Sequence, residues 1–192
     1  MASEKKLDNV ILGLLSHEDL SGYEIKKRID MTLSFFWGAS FGSIYPTLAM
    51  LEEKGYAVKT AQDGDSRGKQ LYHITEEGRA HLREWLQEPV EYDSIRYETL
   101  LKLFFGNECG PQTARERIGR CRQKTQELLM QLETIGNDLS EHLDEDSTHM
   151  YYLLTARFGM KLYQAQLEWC DEAEVFLEMI EERSQEPQDS TV

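Results

Sequence analysis

The chain has 192 residues and a formal net charge of −14 at pH 7, with 35 acidic and 21 basic side chains. This balance excludes a broadly basic protein that binds nucleic acid without discrimination, and the length suits one or two small domains. The acidity is uneven, because residues 1–85 hold 11 basic and 13 acidic side chains whereas residues 86–192 hold 10 and 22.

Targeting and cofactor signals are absent from the sequence pattern. It has no apolar run of the ~18 residues that a membrane helix needs, and no secretory signal opens it. Cys109, Cys121 and Cys170 are an odd number without CxxC spacing, and the five histidines lack paired ligand spacing. We therefore expect a cytoplasmic protein in a reducing compartment, with no metal site and no cofactor.

The first two predicted helices precede a basic segment. Leu7 to Leu15 carries apolar residues at the spacing of one helix face. Ser21 and Glu24 fit a capping box that begins the second helix. That helix carries Lys26, Lys27 and Arg28 in tandem. Such a run is usually a solvated face, but before a helix-turn-helix segment it favours contact with a DNA backbone.

The segment from Met31 to Ala39 contains a dense aromatic patch, Phe35, Phe36 and Trp37. Core between helices is the preferred interpretation, and a ligand site is the alternative. Beyond it, apolar residues from position 44 to 51 predict a third helix, which Gly55 ends in the left-handed conformation. Pro46 is compatible with that helix if Ser43 or Ile44 is its first residue.

A β-hairpin is predicted next. Residues 56–62 and 70–74 alternate apolar and polar side chains, and the turn formers of residues 63–69 separate them. Thr75 precedes two glutamates and is typical of an N-cap that begins a fourth helix. A helix followed by a hairpin with a basic tip is the pattern of a recognition helix and a wing, although many other folds contain a helix and a hairpin.

The N-terminal part of the chain, from Leu7 to Leu86, resembles the PadR family of transcriptional regulators. The resemblance is specific as an ordered set of short motifs rather than through any one of them. The motifs are Val10-Ile11-Leu12-Gly13-Leu14-Leu15, Leu20-Ser21-Gly22-Tyr23-Glu24-Ile25, Ser43-Ile44-Tyr45-Pro46-Thr47-Leu48, Leu51-Glu52-Glu53-Lys54-Gly55-Tyr56 and Tyr72-His73-Ile74-Thr75-Glu76-Glu77-Gly78. The length and helical tail are similar to the longer, virulence-activator-like branch.

The resemblance implies a mainly α fold with a small β-hairpin, formed by a winged helix-turn-helix and a helical dimerisation domain. It implies a cytoplasmic homodimer that binds a palindromic operator in double-stranded DNA. Many members repress transcription, some release DNA when a small-molecule effector binds, and members of the longer branch can activate. We predict a repressor. By position, the predicted DNA-binding residues are Tyr23, Lys26, Lys27, Ser40, Ser43, Tyr45, Thr47, Arg67 and Lys69.

The chemistry of these residues predicts how they contact DNA. Ser40, Ser43 and Thr47 carry short hydroxyl groups that meet phosphates or bases, and Tyr45 can donate its hydroxyl to a phosphate. None is the bidentate Arg or Asn of sharp base readout. We therefore expect backbone positioning and DNA shape to carry much of the specificity.

The sequence pattern of the C-terminal half predicts a helical dimerisation domain. Residues 88–93 break the preceding helix, a short apolar helix covers residues 95–105, and two long helices cover about 111–143 and 148–183. The first long helix carries a heptad-spaced seam, typical of a bundle helix, of Ile118, Cys121, Thr125, Leu128, Leu132, Ile135 and Leu139. The last helix has an apolar arc wider than one contact face needs, so one side is expected to cover the chain's own long helix and the other to bury against a second subunit. The predicted dimerisation residues are Leu154, Phe158, Leu162, Trp169 and Phe176.

The predicted domains are residues 1–88, which bind DNA, and residues 94–183, which form the dimer, with 184–192 as a flexible tail. For Trp169 and Tyr163, core is preferred over an effector pocket. The alternative function is a winged-helix protein-interaction module that has lost DNA binding. An enzyme is not expected, because the sequence has neither a G-x-S-x-G elbow nor a phosphate-binding GxxxxGK[ST] loop.

Overall fold

The computed structural model describes residues 6–61, 70–90, 96–144 and 146–185. They are mostly helical with one antiparallel hairpin, which confirms the predicted fold class. The chain divides into two compact units, up to Asp93 and from Ser94. The elements are α1 (Leu7–Leu15), α2 (Gly22–Arg28), α3 (Phe41–Glu53), β1 (Ala57–Ala61), β2 (Gln70–Ile74), α4 (Glu76–Gln87), α5 (Glu98–Phe104), α6 (Gly110–Glu141) and α7 (Ser147–Gln185).

The first unit is built around one apolar core to which α1, α2, α3, the hairpin and α4 all contribute. Each large aliphatic side chain that is fully buried in this core stabilises the fold by about 1.5–3 kcal/mol relative to leaving that side chain exposed. The large core side chains with no exposed surface are Ile11, Leu12, Ile25, Ile29, Ile44, Leu48 and Leu51.

Local capping fixes where the helices begin. The backbone N–H of Ser21 donates to Glu24 Oε2 at 2.9 Å, and the Glu24 N–H donates to Ser21 Oγ at 3.3 Å, so the predicted capping box is confirmed. Thr75 caps α4, because its Oγ1 accepts from the N–H of Gly78 at 3.0 Å. These bonds satisfy N–H groups that have no partner within their own helices.

The hairpin is hydrogen-bonded to the loop between α1 and α2. Ala57 pairs with Ile74, and Leu20 forms an isolated bridge to Tyr72, with N–H to carbonyl distances of 3.2 and 2.9 Å in the two directions. The turn from α3 into β1 uses Gly55 at φ 74°, as predicted.

The start of α4 packs against this turn at close range. A Cβ atom added at Gly78 would lie 2.1 Å from the carbonyl oxygen of Tyr56. Real Cβ atoms do not approach an oxygen so closely, so glycine is required at this position. The close contact fixes α4 against the strand that carries the wing.

The prediction for the segment between α2 and α3 was wrong. The aromatic patch is not buried core, since Phe36 is 51% exposed and Phe35 and Trp37 are only partly buried. A π-helical turn, Ile29–Leu33, extends α2 and places these rings near the surface. The recognition helix begins at Phe41, so Pro46 lies inside it and the condition under which this proline would cost no hydrogen bond is not met.

The second unit consists of the short helix α5 and the long helices α6 and α7, which pack against each other in an antiparallel arrangement. The predicted seam of α6 is confirmed, because Ile118, Thr125 and Leu132 are buried against α7. Salt bridges reinforce the pair: Arg115 Nη2 lies 2.8 Å from Glu181 Oε2, and Arg122 Nη2 lies 2.9 Å from Glu174 Oε2. Several acids of α7 are thus partly neutralised within this unit.

The described part of α7 continues to Gln185, so the predicted tail of residues 184–192 lies mostly outside the described residues. Among the helices that the structure describes, none is both long and apolar enough to cross a membrane.

Candidate nucleic-acid interface

The outward face of α3 is the first candidate surface. Its inward side chains join the core, whereas its exposed positions recur at helical spacing on the opposite side. From the start of α3 to Ala49 these positions are Phe41, Gly42, Tyr45, Pro46 and Ala49, and Glu53 continues the row at the C-terminal end of the helix. Over residues 41–49, all of which the structure describes, this face presents aromatic and small apolar groups, and the Tyr45 hydroxyl is its one side-chain polar group.

The N-terminus of α3 is capped within the chain. Ser40 is the N-cap, and its N–H lies 3.3 Å from Ser43 Oγ, which in turn donates to the Ser40 carbonyl oxygen at 2.9 Å. One turn later, Thr47 Oγ1 donates to the Ser43 carbonyl oxygen at 2.7 Å. The hydroxyl protons of Ser43 and Thr47 are therefore engaged inside the helix.

Side chains of α2 pack onto this face. The Tyr23 ring stacks with the Phe41 ring at a centroid distance of 6.3 Å and an interplanar angle of 17°. Lys26 Nζ lies 5.6 Å from the same ring centroid, within the range of a cation–π contact. Tyr45 lies against the start of α2, since a Cβ added at Gly22 would be 2.7 Å from its Cε1 atom.

The cations of α2 are partly paired. Lys26 forms a salt bridge with Asp30, and Arg28 forms one with Glu18. Lys27 is exposed on the same helix. A phosphate that approaches this helix therefore competes with two carboxylates for two of its three cations.

The cation of β1 is also paired. Lys59 Nζ lies 2.6 Å from Glu52 Oε2, and the hydrogen bond to that carboxylate raises the pKa of Lys59, so the side chain stays charged at any physiological pH. The predicted wing-tip cations, Arg67 and Lys69, lie outside the described residues.

The structure thus brings most of the predicted N-terminal site residues to one region of the first unit. Tyr23 and Lys26 flank the N-terminus of α3, and Tyr45 lies exposed on its outward face. Sequence reasoning left out Phe41 and Ala49 as site residues. The signal that finds them is the four-residue spacing of positions 41, 45 and 49, opposite the buried face.

A second candidate surface lies on α7. One stripe of this helix is buried against α6, whereas the stripe predicted for dimerisation is open in the single chain. Leu154, Phe158 and Phe176 are exposed, and Leu162 and Trp169 are partly buried. Contiguous exposed apolar side chains of this kind mark interaction sites.

A cavity of about 220 Å³ in the second unit lies beside this stripe. Trp169, Phe176 and Glu172 line it together with Leu103 of α5. Tyr163 is buried and is not among the lining residues. Among the described residues, no group of three or more histidine, cysteine or acidic side chains is placed to hold a metal ion.

Comparison with known proteins decides the family. Residues 11–84 match the model of the PadR-like transcriptional regulators, and residues 95–178 match that of the virulence activator alpha C-terminal domain. The negative transcriptional regulator PadR of Bacillus subtilis is 32% identical over 130 residues, which are 66% of this chain and 71% of that protein. The chain belongs to the PadR-like family of transcriptional regulators. This confirms the predicted family and places the chain among regulators rather than enzymes.

Solved structures of PadR-like proteins have the same fold. The PadR-like transcriptional regulator BC1756 from Bacillus cereus has a TM-score of 0.75 at 30% identity, covering 92% of this chain and 98% of its own. Bacillus subtilis PadR in complex with operator DNA has a TM-score of 0.73 at 27% identity, with coverages of 91% and 98%. The same protein in complex with p-coumaric acid has a TM-score of 0.69 at 26% identity, with the same coverages.

Proposed function

We propose that this PadR-like chain is a repressor that binds a palindromic operator in double-stranded DNA as a homodimer. The single observation that carries the proposal is the exposed face of α3, flanked by Tyr23 and Lys26, in a chain similar to a protein solved on operator DNA. A recognition helix of this kind enters the major groove while the preceding helix crosses the backbone. A regulator of this type works in the cytoplasm, beside the DNA.

Contacts to the phosphates position the protein on the duplex. Lys26 and Lys27 of α2 and the hydroxyls of Tyr45 and Ser40 are proposed to donate to phosphate oxygens. The Ser43 and Thr47 hydroxyls are proposed to do so after rotating away from the backbone carbonyls to which they donate in the free protein. Arg67 and Lys69 are proposed to reach the backbone or the minor groove from the wing. The net charge of −14 predicts moderate affinity with strong salt dependence.

Dimerisation is proposed to occur through the open stripe of α7, named by Leu154, Phe158, Leu162, Trp169 and Phe176. Apolar side chains that water reaches in one chain are covered when a second copy packs on them, and a two-fold contact uses the same patch on both subunits. Two recognition helices can then meet successive major grooves about 34 Å apart.

Repression and release are proposed by analogy with the relatives. Bacillus subtilis PadR is a negative transcriptional regulator and has been solved with p-coumaric acid bound. We propose that this chain also represses, and that a small-molecule effector weakens its hold on DNA. A screen of small aromatic acids against the protein–DNA complex tests the proposed release by an effector. The signal is dissociation of a labelled duplex.

The experiment that tests DNA binding begins with selection of duplexes from a random pool and titration of the selected site from low to moderate salt. Neutralising Lys26 and Lys27 by glutamine should weaken binding and lower the salt slope by about two, one for each lost phosphate contact. The matched control neutralises Lys124 and Lys161, exposed cations of the second unit, and should leave the slope unchanged.

The second candidate function is a winged-helix protein-interaction module without DNA binding. The pairing of Lys26 with Asp30 and of Arg28 with Glu18 favours it, because these cations already have partners. Failure to select any duplex at low salt, with the protein folded and dimeric, would support this module and refute the DNA-binding regulator.

A further inference from the structure

The recognition helix offers the bases an apolar surface. Its outward positions, from Phe41 at the first helical residue to Ala49 two turns later, carry no ionic side chain. The hydroxyl protons of Ser43 and Thr47 are donated to backbone carbonyls of the same helix. This face therefore offers few side-chain hydrogen bonds for direct readout of the bases.

Phe41 is the large side chain at the leading end of that surface. It is 46% exposed, although it is an aromatic residue in a chain with a substantial core. Its ring is held by α2 and does not swing freely, because Tyr23 stacks on it and Lys26 Nζ lies 5.6 Å from its centroid. The N-terminal residues of a recognition helix are those that reach base edges.

Only one of the four DNA bases presents an apolar group in the major groove. Thymine carries a methyl at C5, and an apolar side chain such as phenylalanine makes contact with it. The neighbouring lysine can meanwhile reach a phosphate beside that base, since it sits over the same ring.

We propose that Phe41 binds the 5-methyl group of a thymine in each operator half-site and so determines sequence specificity there. This inference rests on the proposed function, because it requires that α3 enters the major groove. The ligand is a C5-methylated pyrimidine, so 5-methylcytosine at the same position would also supply the methyl group.

The test uses the wild-type protein and the duplex selected from the random pool. Each thymine is replaced in turn by deoxyuridine, which removes the methyl and leaves base pairing and groove hydrogen-bonding groups intact. One thymine per half-site should prove sensitive, with affinity lowered about four-fold in one half-site and about fifteen-fold in both, as expected for one buried methyl each. Uniform affinity across all uracil-substituted duplexes would overturn the proposal while leaving operator binding established.

Variants then assign the sensitivity to a side chain. Phe41→Ala should bind the thymine and uracil duplexes equally, whereas the matched control Phe36→Ala, which removes an exposed aromatic ring outside α3, should keep the full difference. If Phe41→Ala retains the wild-type difference, another residue contacts the methyl and the proposal is wrong. The uracil series is measured on the unaltered protein, so it decides the question even where a variant folds poorly. A protein that selects no duplex would overturn both this inference and the proposed function.

Discussion

Truncation of Phe158 on the open stripe of α7 should dissociate the proposed dimer. The side chain is 64% exposed in the single chain. A phenylalanine offers on the order of 200 Å², so Phe158→Ala removes roughly 100 Å² of coverable apolar area. At ~25 cal/mol per Å² this weakens each copy of the contact by ~2.5 kcal/mol. A two-fold interface contains the residue twice, which gives ~5 kcal/mol and a dissociation constant raised at least a thousand-fold.

Sedimentation equilibrium over a dilution series measures the effect, and far-UV circular dichroism checks that the helices persist. The matched control is Gln164→Ala, an exposed residue of α7 outside both apolar stripes. Its dissociation constant should stay within a few-fold of wild type. A Phe158→Ala protein that dimerises as tightly as wild type, or a wild-type protein that is monomeric at high concentration, would refute the assignment of this stripe.

Three further changes have expected outcomes. Asp30→Asn should tighten binding to the selected operator a few-fold in fluorescence anisotropy, most at low salt, because Lys26 loses its competing carboxylate; unchanged affinity would mean that this lysine does not contact DNA. Gly78→Ala should lower the free energy of unfolding in urea by about 3 kcal/mol, since its Cβ meets backbone, whereas Gly13→Ala, with open space at its Cβ, should raise it by about 0.5–1 kcal/mol. Burial raises the pKa of Cys170 to about 11, so the native state favours the protonated thiol; stability from this group is complete below about pH 9 and should be lost as pH rises toward 11. Cys170→Ala should therefore lose less stability over that window than wild type, and equal losses would contradict the burial argument.

Local signals predicted the elements of the first unit well. Ser21 and Thr75 were identified as N-caps, and Gly55 as the residue that ends the recognition helix, because capping depends on short-range chemistry that a few residues contain. The family resemblance was likewise carried by ordered short motifs, and the comparison confirmed it.

The errors arose where tertiary context decides. Pro46 would cost no hydrogen bond only in the first turn of α3, but the cap at Ser40 begins the helix at Phe41 and the helix accepts the loss of one hydrogen bond. Phe36 is apolar and was assigned to the core, yet the π-helical turn before it directs the segment to the surface. Neither outcome is encoded in hydrophobic periodicity, since both depend on how neighbouring helices pack.

On α7 the apolar pattern indicates two contact faces, but it does not identify what covers the second one. The buried stripe was predicted to cover α6, and the structure confirms that packing. Which copy covers the other stripe is a property of an assembly, and it stays a prediction. The contacts of Arg67 and Lys69 stay predictions as well, because those residues lie outside the described residues.

The reciprocal bonds between Leu20 and Tyr72 have a mechanical consequence. Leu20 immediately precedes the cap of α2, and Tyr72 is the central residue of β2. The hairpin is thus hydrogen-bonded at one point to the residue that precedes the cap of α2, the helix that carries Lys26 and Lys27. A displacement of the wing therefore rotates the start of α2 and is not absorbed by a flexible loop. The amide hydrogens of these two residues should exchange with deuterated solvent together and slowly, and bound DNA should slow them further.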